Sequence, residues 1–107
     1  MTDIYRAIAD PTRRKILTLL SRNEYTQSEL VDRFTISQPA VKKHLEILVE
    51  EDLVAERKEG RYRVYSLKRD NFKHQYEKLQ QEIGSVLDNK LMNLKKYLEG
   101  ESDGESH

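Results

Sequence analysis

The stretch Ser37–Leu48, SQPAVKKHLEIL, decides how the rest of the chain is read. Ser37 is a helix-capping residue type, and Pro39 is tolerated in a first turn, where its missing N–H has no partner to lose. Val41, Leu45 and Leu48 recur at helical spacing and form one apolar stripe. Gln38, Lys42 and Lys43 fall on the opposite side, in the first two turns. A short helix with a polar, basic leading end suits an anionic partner, and the neighbouring segments have to show whether that partner is a nucleic acid.

Upstream, TQSELVDRF (26–34) reads as another helix. Thr26 and Glu29 have capping-box spacing, and Leu30, Val31 and Phe34 are expected to point inward. About three residues, TIS, separate it from the Ser37 helix, with Ile36 as the apolar residue of the turn. A capped helix, a tight turn and a second capped helix make a helix-turn-helix pattern. Still earlier, TDIYRAIA (2–9) reads as a short helix with Ile4, Ala7 and Ile8 on one side. ADPTRRKILTLLSRN (9–23) reads as a longer one, with Asp10 as N-cap, Pro11 in the first helical position and Ile16, Leu17 and Leu20 as its stripe.

Downstream, LVAERKEGRYRVYSL (53–67) changes character. β-branched and aromatic residues flank Gly60, so the segment reads as a two-stranded hairpin turning around KEGR. From about Asp70 to Leu98 the chain is one long helical pattern, with Phe72, Tyr76, Leu79, Ile83, Leu87, Leu91, Leu94 and Leu98 at steps of three or four. The run 83, 87, 91 breaks a strict heptad, so a long coiled coil is not expected.

Composition sets limits. The chain has 107 residues, 36% charged and 36% hydrophobic, which is lean for one small domain and leaves room for burial by oligomerisation. There is no cysteine, which excludes disulfides, thiolate metal sites and thiol oxidation as a signal. No apolar run is long enough to span a bilayer and no signal peptide opens the chain, so no membrane insertion and a cytoplasmic location are expected. Formal net charge is zero. Setting aside Glu99, Glu101, Asp103 and Glu105 leaves 19 bases against 15 acids, a net of +4 for residues 1–98. That bias is weak for a nucleic-acid binder, so the placement of the bases has to carry the argument. We expect one domain over 1–98 and an acidic, disordered tail over 99–107.

The segments AIADPTRRKIL (7–17), LVAERKEGRYRVYSL (53–67) and the pattern Ser37, Val41, His44, Leu45, Leu48 occur in the order found in the ArsR family of bacterial winged helix-turn-helix repressors, which the chain resembles over roughly residues 1–68. The late stretch KLMNLKKYLE (90–99) is similar to members with a long C-terminal helix. The resemblance implies a mainly α fold with a small β-hairpin wing. It also implies a homodimer whose first and last helices pair across a two-fold axis, recognition helices in successive major grooves of a palindromic operator, wings over flanking minor groove, and release of DNA by an inducer.

The expected contacts to double-stranded DNA are Ser37, Gln38, Pro39, Ala40, Lys42, Lys43 and His44 on the recognition helix, with Arg57, Lys58, Arg61 and Arg63 on the wing. Gln38 is placed to read adenine, and Pro39 and Ala40 to meet thymine methyls. His44 lies at the edge of the buried stripe and reads first as a packed or hydrogen-bonded side chain, then as a phosphate contact. Arg13 and Arg14 suit either phosphate or pairing with Asp3 or Asp10. The expected dimer residues are Ile4, Ile8, Tyr76, Leu79, Ile83, Leu87, Leu91 and Leu94.

Metal-sensing members of the family use cysteines in the segment that is SELVDR (28–33) here, or histidines and carboxylates on the last helix. Asp70, His74 and Glu77 share a face, but one imidazole with two exposed acids reads as a solvated surface, since Zn²⁺ takes about four ligands. Neither metal nor cofactor is therefore expected. The inducer is expected to be a partner protein or an apolar ligand near Tyr76, Leu79 and Ile83, residues that otherwise fill the dimer core. No nucleophile–base arrangement or phosphate-cradling glycine loop supports an enzyme. The competing class is a winged-helix module that binds a partner protein through its long last helix. Lys42, Lys43, Arg61 and Arg63 discriminate against it, because such a module has no need of them.

Overall fold

The computed structural model describes residues 2–101, with side chains described to residue 86. The elements run α1 (Ile4–Ile8), α2 (Pro11–Leu20), β1 (Tyr25–Thr26), α3 (Gln27–Val31), α4 (Gln38–Glu50), β2 (Val54–Glu59), β3 (Tyr62–Leu67) and α5 (Arg69–Glu101). Residues 1–75 form one unit and 76–107 a second.

The first unit is built on helix starts that local chemistry specifies. Asp10 accepts from the Thr12 and Arg13 amides at 2.7 and 3.3 Å and starts α2 with Pro11 in its first turn. Thr26 and Glu29 exchange the two reciprocal bonds of a capping box, at 3.2 and 2.8 Å. Ser37 accepts from the Ala40 amide at 3.3 Å and starts α4. The core beneath consists of Ile4, Ala7, Ile16, Leu17, Leu20, Leu30, Val41, Leu45, Leu48, Leu53, Val54, Val64 and Tyr65. Each fully buried Leu or Ile contributes roughly 1.5–3 kcal/mol relative to exposure.

The end of α4 is a Schellman motif without glycine. Leu53 N–H donates to Leu48 C=O and Asp52 N–H to Val49 C=O, while Asp52 takes the left-handed conformation at φ 61°. Aspartate is one of the few residue types that tolerates this region. The conformation is supported from outside: Lys68 pairs with the Asp52 carboxylate, and Asn71 Nδ2 donates to its carbonyl at 2.7 Å. Leu48 and Leu53, the apolar partners of the motif, are both fully buried.

Three local expectations are corrected. The helix expected over 26–34 ends at Val31, because Arg33 and Phe34 donate to Leu30 and Val31 in tight three-residue bonds, and Phe34 sits half-buried in the turn. The expected two-stranded hairpin is the larger part of a three-stranded antiparallel sheet of order β1-β3-β2, with Tyr25 opposite Tyr65 and Thr26 opposite Val64. A two-residue strand carries no periodicity and forms only because β3 offers it an edge. The wing turn is also tighter than KEGR: Lys58 and Glu59 stay in β2, Glu59 pairs with Tyr62, and the loop is Gly60–Arg61. Gly60 has φ +62° while Arg61 has no positive φ, the pattern of a II′ turn.

In the second unit α5 continues three residues beyond the expected end at Leu98, to Glu101. Its 33 residues span about 50 Å. Residues 102–107 of the expected tail lie outside the described residues. Among the described residues no helix is long and apolar enough to cross a membrane.

Candidate nucleic-acid interface

Helix α4 presents two chemically distinct sides. Val41, Leu45 and Leu48 have no exposed surface. Ser37, Gln38, Pro39, Lys42 and Lys43 are exposed and Ala40 is half-buried. Thus the candidate recognition residues lie together at the N-terminal end and outer face of one rigid, capped helix. Among the described residues neither lysine has an acidic partner within ion-pair distance.

His44 is turned differently. Arg13 Nη1 donates to His44 Nδ1 at 3.1 Å, which leaves the neutral ring's proton on Nε2, 3.9 Å from Asp10 Oδ1. The half-buried imidazole therefore links α4 to the start of α2. Three of the five Arg13 N–H donors are engaged in the same arrangement. Arg13 Nε donates to Ala7 C=O at 3.0 Å and its Nη2 to Arg6 C=O at 2.8 Å, and Arg14 Nη1 donates to Ile8 C=O at 2.6 Å. Both arginines cap the carbonyl end of α1, a role that sequence reasoning did not weigh. Partial burial works against the Asp10 charge, but the Thr12 and Arg13 amides and the nearby Arg13 guanidinium outweigh it and hold its carboxyl below 3.8.

The wing divides its four bases into two pairs. Arg57 donates to Glu24 at 2.9 and 2.8 Å and also bonds Glu59, and these hydrogen bonds, Glu24 first, raise its pKa. Arg63 donates to Glu56 at 2.7 Å, and Tyr65 Oη donates to the other oxygen of Glu56 at 2.8 Å. Burial and then the Glu56 carboxylate push the Tyr65 phenol up. Lys58 and Arg61 are exposed and have no such partner among the described residues. Sequence spacing placed all four bases on one hairpin; the carboxylates that neutralise two of them become visible only once β2 and β3 are in register and Glu24 is brought alongside.

Between α4 and the wing lies an open cleft of about 210 Å³. Gln38 borders it on one side, Arg61, Tyr62 and Arg63 on another, and Thr26, Gln27 and Ser28 form the third. Thr26 reads from the sequence as a helix cap only, and Gln27, Ser28 and Tyr62 have no contact role assigned from it. No local signal marks these four as one site, because the sheet brings residues 26–28 and Tyr62 to the same cleft.

The expected dimer residues fall into three groups. Ile4 is 4% exposed and belongs to the core of a single chain, whereas Ile8 is half-buried. On α5, Tyr76 and Ile83 are 45% and 43% exposed, Leu79 is half-buried, and Val86, not among the expected residues, is 51% exposed. The side chains of Leu87, Leu91 and Leu94 lie outside those described. Asp70, His74 and Glu77 are all exposed.

Residues 10–56 match the model of the arsR family of bacterial regulatory proteins. The chain is 39% identical over 67 residues to the transcriptional repressor SdpR of Bacillus subtilis, an alignment covering 63% of this chain and 74% of that protein. It is 44% identical over 63 residues to a probable mercury resistance operon repressor of Streptomyces lividans, covering 59% of this chain and 50% of that protein. Among solved structures, an ArsR-like transcriptional regulator from Rhodococcus sp. RHA1 superposes with a TM-score of 0.68 at 32% identity, covering 91% of this chain and 88% of the other. With the capped tandem helices, the wing and these matches together, the chain belongs to the arsR family of bacterial regulatory proteins.

Proposed function

We propose that the protein is a DNA-binding transcriptional repressor that acts as a homodimer on a palindromic operator of its own or a neighbouring operon. The observation that carries this reading is the placement of bases: Lys42, Lys43, Lys58 and Arg61 stand exposed on α4 and the wing with no acidic partner among the described residues, whereas Arg57 and Arg63 on the same hairpin are ion-paired. A protein-binding winged helix has no use for that asymmetry, and relatives named as repressors support the DNA reading over it.

In this mechanism α4 lies in the major groove, Gln38 reads a base edge, and Lys42 and Lys43 contact the strand rims. The wing tip, through Lys58 and Arg61, lies over the adjacent minor groove. The exposed stripe Tyr76, Ile83 and Val86 on α5 supports pairing with a second copy. Release follows when a partner protein or an apolar ligand favours a dimer geometry whose recognition helices no longer fit two grooves about 34 Å apart.

Selection from a random duplex pool, followed by affinity titration, tests the reading. An inverted repeat is expected, and Gln38→Ala should erase preference at one base pair per half-site, a discrimination of about 1–3 kcal/mol. Recovery of no preferred sequence, together with unchanged DNA affinity on Lys42→Ala and Arg61→Ala, would overturn it in favour of a protein-interaction module.

A further inference from the structure

The cleft between α4 and the wing has a chemistry of its own. None of its lining residues is acidic, although two carboxylates, Glu56 and Glu59, stand on the same hairpin. Its walls offer hydrogen-bond donors instead. Ser28 is exposed and Tyr62 is 55% exposed, and their hydroxyls make no bond to another described residue. The amide of Gln27 lies alongside, its Oε1 3.5 Å from Tyr65 Oη. Arg61 adds a guanidinium without an acidic partner among the described residues, and among them Arg63 is held by Glu56 through Nη1 only. The cleft is thus a set of neutral donors beside one free positive charge, which matches an anion too extended to be enclosed.

The geometry of the duplex supplies that anion. A major groove and the minor groove next to it are separated by a single sugar–phosphate strand. If α4 enters the one and the wing tip covers the other, that strand runs between Gln38 and Arg61, across the mouth of this cleft. We propose that the cleft is a clamp for one phosphodiester strand of the operator, and that Gln27, Ser28 and Tyr62 are positioning residues that hold the strand while α4 reads bases. The proposal rests on the DNA-binding reading above and adds to it a contact surface outside the recognition helix and outside the charged wing. Neutral donors of this kind fix register on the duplex without carrying sequence information. The clamp also accounts for a wing turn that is short and held in register: Tyr62 keeps its place only while Glu59 pairs with it.

The test uses the full-length protein and the duplex recovered by selection. The double variant Ser28→Ala/Tyr62→Phe should bind that duplex and a scrambled one at least about tenfold more weakly than wild type, each lost bond being one to a charged acceptor. The salt slope should stay unchanged, because no cation is removed. Replacing single phosphates with neutral methylphosphonates locates the strand: at one position per half-site the replacement should weaken wild-type binding more than it weakens the double variant. Ser28→Thr, which keeps the hydroxyl, should retain affinity, and Ser28→Asp should lose more than Ser28→Ala. Both sites are exposed, and a matching thermal melt confirms the fold. If either single variant melts early, Gln27→Ala serves in its place. Equal affinity of the double variant and wild type would overturn the clamp while leaving the repressor reading intact. So would a loss confined to the selected sequence, or an unchanged methylphosphonate pattern. A wild-type protein that binds no duplex would overturn both.

Discussion

Arg57 and Glu24, 33 residues apart in the chain, form a two-pronged pair: Nη1 to Oε2 at 2.9 Å and Nη2 to Oε1 at 2.8 Å. The pair reaches across the central strand of the sheet. Arg57 lies opposite Val64 on β3, and Val64 is opposite Thr26, two residues beyond Glu24, on its other side. Planar guanidinium and carboxylate meeting in this way fix direction as well as distance. The clasp ties the wing to the segment leading into α3 and occupies a base that sequence spacing had assigned to DNA.

The DNA contribution of the wing should therefore be uneven. In the dimer, Arg61→Ala should flatten the slope of log affinity against log salt by about 2, from a wild-type value of about −5. Arg57→Ala should change the slope by less than about half a unit and act mainly on wing position. Titrations over a range of potassium chloride concentrations separate the two, and equal flattening by both variants would show that the clasp opens on DNA.

Acid should loosen the helix starts before it reaches the apolar core. The Glu29 carboxylate is held below its usual 4.5 by its bonds to the Thr26 amide and hydroxyl, Glu24 by the Arg57 hydrogen bond, and Asp10 below 3.8 by backbone amides that overcome desolvation. All three shifts are downward, so the stabilisation is complete above the unfolded-state values and is lost as pH falls through the lower, folded-state ones. Urea melts from pH 7 to pH 3 should show wild-type stability falling below about pH 4.5, with a flatter profile for Glu29→Gln and Asp10→Asn. Parallel profiles would remove these caps as the cause.

Helix α4 can be weakened from either end of its design. Ser37→Ala removes the acceptor for the Ala40 amide and should cost about 1 kcal/mol of unfolding free energy. Leu45→Ala, at a site with no exposure, should cost about 2–5 kcal/mol. Chemical denaturation measures both, and the ordering matters more than either value: a cap loss larger than the core loss would mean that α4 is held by its end rather than by its stripe.

The proposed dimer predicts that Ile83→Glu shifts the protein toward monomer. Sedimentation should show a dimer for wild type at micromolar concentration and a concentration-dependent mixture for the variant. DNA affinity should fall in step, because two half-sites are then bound independently. A wild-type monomer at those concentrations would reject the two-fold arrangement.

Much of the fold could be read from the sequence because it rests on local chemistry. Asp10, Thr26 and Ser37 cap the helices expected of them, since a cap is a bond between residues two or three apart. The stripe Val41, Leu45 and Leu48 is buried as its spacing requires, because one turn of helix sets which side chains share a face. The outward position of Gln38, Lys42 and Lys43 follows from the same rotation. What local chemistry left open was every relationship between residues far apart in the chain. Tyr25–Thr26 becomes a strand only beside β3, Ile4 is buried in the core of the single chain, and Arg13 reaches the carbonyl end of α1. Which wing bases remain free was decided by register and docking. A side chain's charge is a property of its residue, but its availability depends on which carboxylates the fold brings within hydrogen-bonding distance, and for Arg57 and Arg63 the sheet brought Glu24 and Glu56.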